Sequence, residues 1–243
     1  MDESRPRRAA GGRSSRTDEI QHRIKQMILE QNLTVGDPMP TEFELIDELD
    51  VSRNSLREAL KALQAVGIVE IRHGLGTYVG RMSMGALVDE LTFHGRMSRQ
   101  SGRDAFGHLI EVREILERGL VDALIERRPD VAWDALDAVM AEMNDEARNG
   151  SVNATTDRRF HELLYEPLAN PLVDRLLGAF WDVFHALQHD LEPADESPDD
   201  VAAWHRDIYH AIRAGDREAA SVAMTRHFEG IRRRADAPVK DHR

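Results

Sequence analysis

Cysteine is absent from all 243 residues of the sequence. This absence excludes disulfide bonds and thiolate chemistry, and it suits the reducing cytoplasm, where we expect the protein to act. No apolar run approaches the roughly 18 residues that a membrane-spanning helix needs, so we expect no membrane partner. Residues 1–16 lack the apolar core of a secretory signal, and we expect them to form a disordered basic tail.

Positive charge is also scarce. The sequence has 32 lysines and arginines and 44 aspartates and glutamates, which gives a net charge of −12. The imbalance is uneven along the chain. Residues 1–80 hold 11 basic and 13 acidic residues (−2), whereas the remainder holds 21 and 31 (−10). A DNA-binding protein needs a basic contact face rather than a basic chain, so DNA binding by the N-terminal third stays open.

The N-terminal third has the pattern of a winged helix-turn-helix over residues 17–80. Apolar spacing predicts a first helix at about 17–31, and Thr41–Glu44 reads as a capping box that starts a short second helix. Ser52 is placed to cap a third helix, which ends at Gly67. Two short β-like runs then flank His73–Gly76, as expected for a hairpin wing.

The start of the third helix carries side chains suited to DNA. Arg53 and Asn54 match guanine and adenine edges, and Ser52 and Ser55 suit phosphate. Arg57 continues the same face. An ordinary solvated helix face with two arginines is the alternative. The candidate DNA-binding residues are Ser52, Arg53, Asn54, Ser55, Arg57, Lys61, His73 and Gly74.

From Met84 onward the pattern is helical, so the fold class is mainly α. We expect residues 81–103 to form a linker and a first helix, residues 104–236 to form an all-α helical bundle, and residues 237–243 to form a tail. The predicted helices span about 104–127, 129–150, 154–165, 170–191, 200–214 and 216–234.

Four polar residues of this bundle lie on apolar, inward-facing stripes. Burying each of these groups without a partner costs on the order of a few kcal/mol. A divalent cation bound by all four would remove that cost. Carboxylate and imidazole suit zinc, with nickel or manganese as alternatives. Hydrogen-bonded core histidines without metal are the other interpretation. The candidate ligands are Asp157, His161, His205 and His227.

Arg113 lies beside the predicted apolar stripe of the long helix, whose members are Leu109, Val112, Leu116 and Leu120. A buried guanidinium demands an anion, and a ligand carboxylate held by two hydrogen bonds fits that demand. An ion pair with Glu117, four residues further on, fits equally well. Arg113 is therefore a candidate for binding a ligand carboxylate.

Residues 40–79 resemble the DNA-binding domain of the GntR family of bacterial regulators. The resemblance is carried by Pro40–Leu45, Val51–Leu60, Leu63–Val69 and His73–Val79. It implies that Arg53 and Arg57 are the main DNA contacts and that the Gly74 wing lies beside the groove. Many members have a DNA-contacting arginine where this sequence has Phe43, so we expect that contact to be lost and the operator to differ.

Residues 109–228 resemble the FCD ligand-binding domain of the FadR subgroup. The matching segments are Glu111–Glu117, Asp157–His161, Ala169–Leu172, His205 with Ala211–Asp216, and Arg226–His227. The resemblance implies that Asp157, His161, His205 and His227 hold the metal and that Arg113 faces the cavity. With an anion at Arg113 and ligand oxygens at the metal, it predicts a small carboxylate effector, such as a hydroxy acid or a sugar acid.

We therefore expect a homodimeric repressor that binds a palindromic operator in double-stranded DNA and is released by its effector, and we expect no enzymatic activity. The same linkage between effector binding and DNA binding also allows an effector that activates transcription instead of releasing repression. A metal-dependent enzyme is the rival from another class, since an aspartate and three histidines can hold an activated water. A regulator with a purely structural metal is the second rival.

Overall fold

A computed structural model of the chain describes residues 11–100, 105–127, 130–187 and 196–236. The described part is mainly helical and divides between Ala86 and Leu87 into two compact units. None of its helices is long and apolar enough to cross a membrane. The first ten residues of the expected tail, and the tail predicted at 237–243, lie outside the described residues.

The N-terminal unit is a three-helix domain with a β-hairpin, as predicted. Its elements are α1 (Gly11–Glu30), α2 (Glu42–Leu49), α3 (Arg53–Ala65), β1 (Val69–Arg72) and β2 (Gly76–Val79). Its core is apolar and is built from Ile20, Ile24, Met27, Leu45, Leu49, Leu56, Leu60, Leu63, Val69 and Val79, among others.

Local capping explains where α2 and α3 begin. Thr41 and Glu44 form the reciprocal capping box, with the Thr41 N–H donating to Glu44 Oε2 at 2.7 Å. Ser52 caps α3 by accepting from the Ser55 N–H at 3.2 Å. Asp50, in the left-handed region at φ 49°, ends α2 and allows the tight turn between the two helices.

The tail prediction is wrong for residues 11–16, because α1 begins at Gly11 and not at Thr17. No proline interrupts this segment; Pro6 lies further upstream. Adding residues to an existing helix fixes one residue for each hydrogen bond gained, which is far less costly than starting a helix. The sequence shows no capping residue and stripe at Gly11, and for that reason the earlier start was not predicted.

The C-terminal unit is an all-α bundle. Its helices are α4 (Gly85–Gln100), α5 (Ala105–Arg127), α6 (Trp133–Arg148), α7 (Ala154–Tyr165), α8 (Pro171–Leu187), α9 (Pro198–Ala214) and α10 (Arg217–Asp236), with a 3-10 turn at Glu166–Leu168. Helix α10 packs along α5 and α9, and α6 packs on α7 and α9. These contacts bring α5, α7, α9 and α10 around one interior.

Two predicted helix starts are corrected. Helix α6 begins at Trp133 rather than at Pro129–Asp130. Helix α9 begins at Pro198 rather than at Asp200, because Ser197 and Asp200 form a capping box there. Proline at the first helical position has no N–H to leave unsatisfied, so Pro198 belongs inside the helix and not in the loop before it.

The predicted inward stripe of α5 is wrong for Val112, whereas Leu109, Leu116 and Leu120 are partly buried and pack against the core as predicted. Val112 is 55% exposed and Ile115 is 64% exposed. The buried face runs through Phe106, Ile110, Arg113, Glu114, Glu117, Val121 and Leu124. Three charged residues of α5 are buried because each has an ionic partner inside the unit, and apolar periodicity by itself does not identify them.

Candidate functional site

The four predicted metal ligands come together inside the C-terminal unit. Asp157 and His161 come from α7, His205 from α9 and His227 from α10, and one ligand atom from each lies within 4.8 Å of the others. The three imidazoles are buried, with at most 4% of each residue exposed. Helical spacing places the α7 pair one turn apart on the same inward face.

His205 and Asp157 set the geometry of this cluster. The Nδ1–H of His205 donates to the carbonyl of Val201 at 2.8 Å, so Nε2 faces the cluster. Nε2 lies 2.7 Å from Asp157 Oδ1. In the neutral tautomer both of these atoms carry lone pairs, so a proton or a cation must lie between them. The donor set therefore fits a divalent metal ion.

His227 completes the case for a bound group. Both of its ring nitrogens are buried and have no hydrogen-bond partner among the described residues. Its ring centroid lies 4.5 Å from that of His205 and 5.1 Å from that of His161. Burial and then the neighbouring imidazoles hold the pKa of His227 well below its usual value, so the ring is neutral and able to coordinate metal.

Glu117 is a member of the site that the sequence offered only as a salt-bridge partner for Arg113. Its side chain is fully buried, with Oε2 lying 2.7 Å from His161 Nδ1 and accepting from the Tyr165 hydroxyl at 3.1 Å. Burial acts to raise the pKa of Glu117, but His161 and Arg113 outweigh burial and lower it. Glu117 is thus a carboxylate that turns His161 so that Nε2 faces Asp157, 3.4 Å away.

The pKa of His161 responds to the same contacts. Burial acts to lower it, but the Glu117 carboxylate and the hydrogen bonds with Asp157 and Glu117 raise it to about 9. The ring therefore binds a proton tightly when no other cation is present. A metal ion must displace that proton to bind here.

Arg113 is 2% exposed, and both sequence interpretations of it retain support. Its Nε donates to Glu117 Oε1 at 2.6 Å, which is the predicted ion pair. Its Nη2 is buried without a hydrogen-bond partner among the described residues. The guanidinium lies 4.4 Å over the Trp181 ring, which holds it in a fixed plane. The Nε side of the guanidinium therefore binds Glu117, and Nη2 makes no hydrogen bond to a described residue.

A cavity of about 470 Å³ adjoins both features. Arg113, Asp157 and His227 line it on its polar side. Trp181, Phe184, Trp204 and Ile231 are among the aromatic and aliphatic residues of its wall. A mainly apolar cavity with a few convergent polar groups is the usual form of a small-molecule site.

The N-terminal unit presents the predicted DNA-contacting side chains on its surface. The side chains of Arg53 and Arg57 are 68% and 64% exposed, one turn apart at the beginning of α3. Asn54 and Lys61 are exposed on the same helix. Ser52 and Ser55 are linked through their hydroxyls at 2.9 Å, at the end of the helix where free N–H groups favour an anion.

Glu42 is a second residue that the sequence did not single out. Its Oε1 lies 3.5 Å from Nε of both Arg53 and Arg57. The carboxylate therefore bridges the two guanidinium groups and holds them on one side of α3. A groove of about 350 Å³ continues from Glu42 and Arg57 past Lys61 to His73 on the hairpin.

The hairpin has the geometry expected of a wing. Strands β1 and β2 pair antiparallel, with Val69 opposite Val79 and Arg72 opposite Gly76. Gly74 has φ +76° at the exposed tip, a conformation that favours glycine. Phe43, at the position where many GntR regulators carry arginine, is 76% exposed. The surface there is apolar rather than cationic.

Comparison with known proteins finds matches for both the N-terminal and the C-terminal unit. The profile of the FCD domain matches residues 108–230, and that of bacterial regulatory proteins of the gntR family matches residues 16–79. The chain is 27% identical over 210 residues to the HTH-type transcriptional regulator LutR of Bacillus subtilis, covering 84% of this chain and 94% of LutR. It is 26% identical over 223 residues to the HTH-type transcriptional repressor NanR of Edwardsiella tarda, covering 90% and 85%. Among solved structures, Streptococcus agalactiae GntR matches with a TM-score of 0.62 at 27% identity, covering 89% of this chain and 99% of that one.

Proposed function

Since the chain belongs to the GntR family of bacterial transcriptional regulators, with the FCD domain of the FadR subgroup, we propose that it is a repressor released by a small carboxylate. We assign DNA reading to residues 17–80 and effector binding to residues 104–236, joined by residues 81–103. The observation that carries the proposal is the combination of a cluster of four candidate ligands, three of them buried, with a buried arginine at one cavity.

For DNA, Arg53 and Arg57 are the base-reading residues, with Asn54 beside them. Their exposure at the start of a capped helix supports this assignment, because that end of a recognition helix meets base edges in the major groove. Lys61, Ser52 and Ser55 bind phosphate. His73 and Gly74 at the hairpin approach the sugar-phosphate backbone.

For the metal, Asp157, His161, His205 and His227 bind one divalent cation. Three imidazole nitrogens and one carboxylate oxygen suit zinc, with nickel and manganese as alternatives. When bound, the ion supplies a Lewis-acidic position for ligand oxygens. Val201 and Glu117 orient the rings of His205 and His161 from outside, which supports a site built for metal rather than three unrelated core histidines.

For the effector, Nη2 of Arg113 binds a carboxylate. Its burial without a partner supports this role, since an unsatisfied buried donor costs about 1–3 kcal/mol. The adjoining cavity suits a hydroxy acid or a sugar acid better than a long acyl chain, because the ligand cluster makes one side of it polar.

Repression requires a dimer that places two recognition helices at a fixed half-site spacing on a palindromic operator. A face of α5 supports self-association. Val112 and Ile115 are exposed there, and a Cβ added at Gly119 would meet nothing within 4 Å. Glycine inside a helix costs about 1 kcal/mol relative to alanine, and no neighbour within the described chain requires it. A second copy of the chain packed closely against this face would explain the glycine at position 119.

Charge order favours the same pairing. Glu111 precedes Ile115 by one turn, and Arg118 follows it. In an antiparallel pair centred on Ile115, Glu111 lies near the partner's Arg118, and the contact repeats by symmetry. Effector binding then acts by linkage: if the effector-bound dimer misses the half-site spacing, affinity for the operator falls and transcription is released.

A thermal-shift screen of hydroxy acids and sugar acids, with and without chelator, tests the sensor. A carboxylate that stabilises only metal-loaded protein, and that also lowers operator affinity in a gel-shift assay, supports the proposal. If no carboxylate does so, the proposed effector class is wrong. Turnover of such an acid would favour the enzyme alternative. An unchanged effector response in folded His205→Ala would indicate a purely structural metal.

A further inference from the structure

Glu42 places a negative charge on the surface that is proposed to face DNA. It is the first residue of α2, and its Oε1 lies 3.5 Å from Nε of Arg53 and 3.5 Å from Nε of Arg57. That oxygen is shielded from water, although 37% of the side chain is exposed. Two arginines of α3 therefore contact one carboxylate oxygen supplied by α2.

The carboxylate belongs to the same surface as the other candidate DNA contacts. Glu42 and Arg57 line a groove of about 350 Å³ that also includes Lys61 of α3 and His73 of the hairpin. A duplex bound to this surface brings its phosphates close to Glu42. Because phosphates repel a carboxylate, Glu42 lowers the affinity of this surface for DNA of any sequence.

Folding stability does not explain a carboxylate at this position. An ion pair between exposed side chains contributes little to stability, and the side chains of Arg53 and Arg57 are 68% and 64% exposed. An acidic residue in the first turn of a helix is favourable, but that effect requires no contact with an arginine. The contact with both guanidinium groups points to a role in DNA recognition.

An exposed arginine side chain samples many rotamers, and ordering it on binding costs free energy. A carboxylate that contacts both guanidinium groups restricts both side chains before DNA is bound. In each case the contacting nitrogen is Nε, the one nearest the stem of the side chain. A guanine needs two N–H donors for its O6 and N7, and each guanidinium has five. The contact with Glu42 is therefore compatible with base reading.

We propose that Glu42 is a positioning residue for operator recognition, which orders Arg53 and Arg57 for contact with bases. It lowers affinity for DNA in general and raises the preference for the operator. This inference rests on the proposed function, because it takes Arg53 and Arg57 as the base-reading residues. Glu42 itself contacts no base.

Fluorescence anisotropy of the full-length protein on a selected operator and on an unrelated duplex of equal length tests the proposal. Glu42→Ala is expected to raise the operator Kd about three- to tenfold, as expected if arginine side chains must be ordered on binding. The Kd for unrelated DNA is expected to stay the same or to fall by up to about threefold, since one repulsive charge is removed.

Glu48→Ala is the matched control, because it removes the same charge from an exposed position near the other end of α2. It is expected to leave the ratio of the two Kd values within twofold of the parent. Glu42→Gln keeps the length of the side chain without its charge, and it decides the case if the melting temperature shows that Glu42→Ala is unfolded.

A coupling measurement separates positioning from direct base contact. In an Arg57→Ala background, Glu42→Ala is expected to cause a smaller loss of operator affinity than in the parent, because one of the two guanidinium groups is missing. In an Arg206→Ala background, which changes an exposed residue of the other unit, the loss is expected to be unchanged.

Tighter binding of Glu42→Ala to both duplexes overturns the inference, because the carboxylate then acts only by repulsion. A loss that is equally large in the Arg57→Ala background, and confined to one cytosine of the operator, also overturns it and makes Glu42 a base contact. In both cases the proposed base-reading arginines stand. If neither Arg53→Ala nor Arg57→Ala weakens operator binding, the base-reading assignment fails and this inference fails with it.

Discussion

Oε2 of Glu117 lies 2.7 Å from Nδ1 of His161, and both side chains are almost wholly inaccessible to water. Helix α5 thereby fixes the orientation of a ring on α7. The same carboxylate accepts from Arg113 through its other oxygen. One buried residue thus contacts both the candidate metal-ligand cluster and Arg113, the proposed effector-binding residue.

Glu117→Gln is expected to weaken zinc binding about 10- to 100-fold, because His161 loses the carboxylate that orients it. Competition with a chromophoric chelator measures this. Glu117→Ala is expected to destabilise the fold by about 3–5 kcal/mol, since Arg113 is left buried without its partner. Glu162→Gln, an exposed residue on the same helix as His161, is the matched control and should bind zinc normally. Zinc affinity within twofold of the parent in Glu117→Gln would contradict the orienting role.

Removal of the metal is expected to lower the melting temperature of the protein by roughly 5–10 °C, because the cation binds the folded state and offsets three buried imidazoles. Differential scanning calorimetry with and without a chelator checks this. His205→Ala should melt at the same temperature in both conditions. His210→Ala, an exposed histidine on the same helix, should keep the full chelator response. A chelator that leaves the parent unchanged would argue that the histidines pair without metal.

Arg53→Ala and Arg57→Ala are each expected to reduce operator affinity about 5- to 150-fold, equivalent to about 1–3 kcal/mol, and to relax base preference. Lys61→Ala should weaken operator and unrelated DNA alike and reduce the salt dependence by about one phosphate contact. Fluorescence anisotropy on a selected operator, at several salt concentrations, separates these effects. Arg206→Ala, an exposed arginine of the other unit, is the control. Equal losses on operator and unrelated DNA for the Arg53 variant would make it a phosphate contact instead.

If the proposed dimer forms through the α5 face, Ile115→Arg is expected to convert it to a monomer, because the substitution places two positive charges across the proposed two-fold axis. Analytical ultracentrifugation measures the mass, and operator affinity should fall with it. Leu172→Arg introduces the same charge at an exposed apolar position of α8 and should stay dimeric. A dimeric Ile115→Arg would exclude this face as the interface.

The sequence predicted local features well wherever a short motif determines them. Helix α7 has the predicted bounds of Ala154–Tyr165, and the capping box at Thr41 and the cap at Ser52 are confirmed. The grouping of Asp157 with His161 followed from helical periodicity. Joining them to His205 and His227 was suggested by the inward apolar stripes of three helices, and the family resemblance favoured a metal over core histidines, because residues on three helices have no fixed distance in sequence.

What the sequence by itself determined is the winged helix-turn-helix, the helical character of the remainder and the identity of the metal-ligand candidates. Only the tertiary structure decided which residues of α5 are fully buried. Periodicity favoured Val112, which is exposed, over Glu117, which is buried. The physical reason is that burying a charge costs free energy unless a partner is present, and the partners here, His161 and Tyr165, belong to another helix. The apolar periodicity of one helix does not show which residues of another helix pair with it.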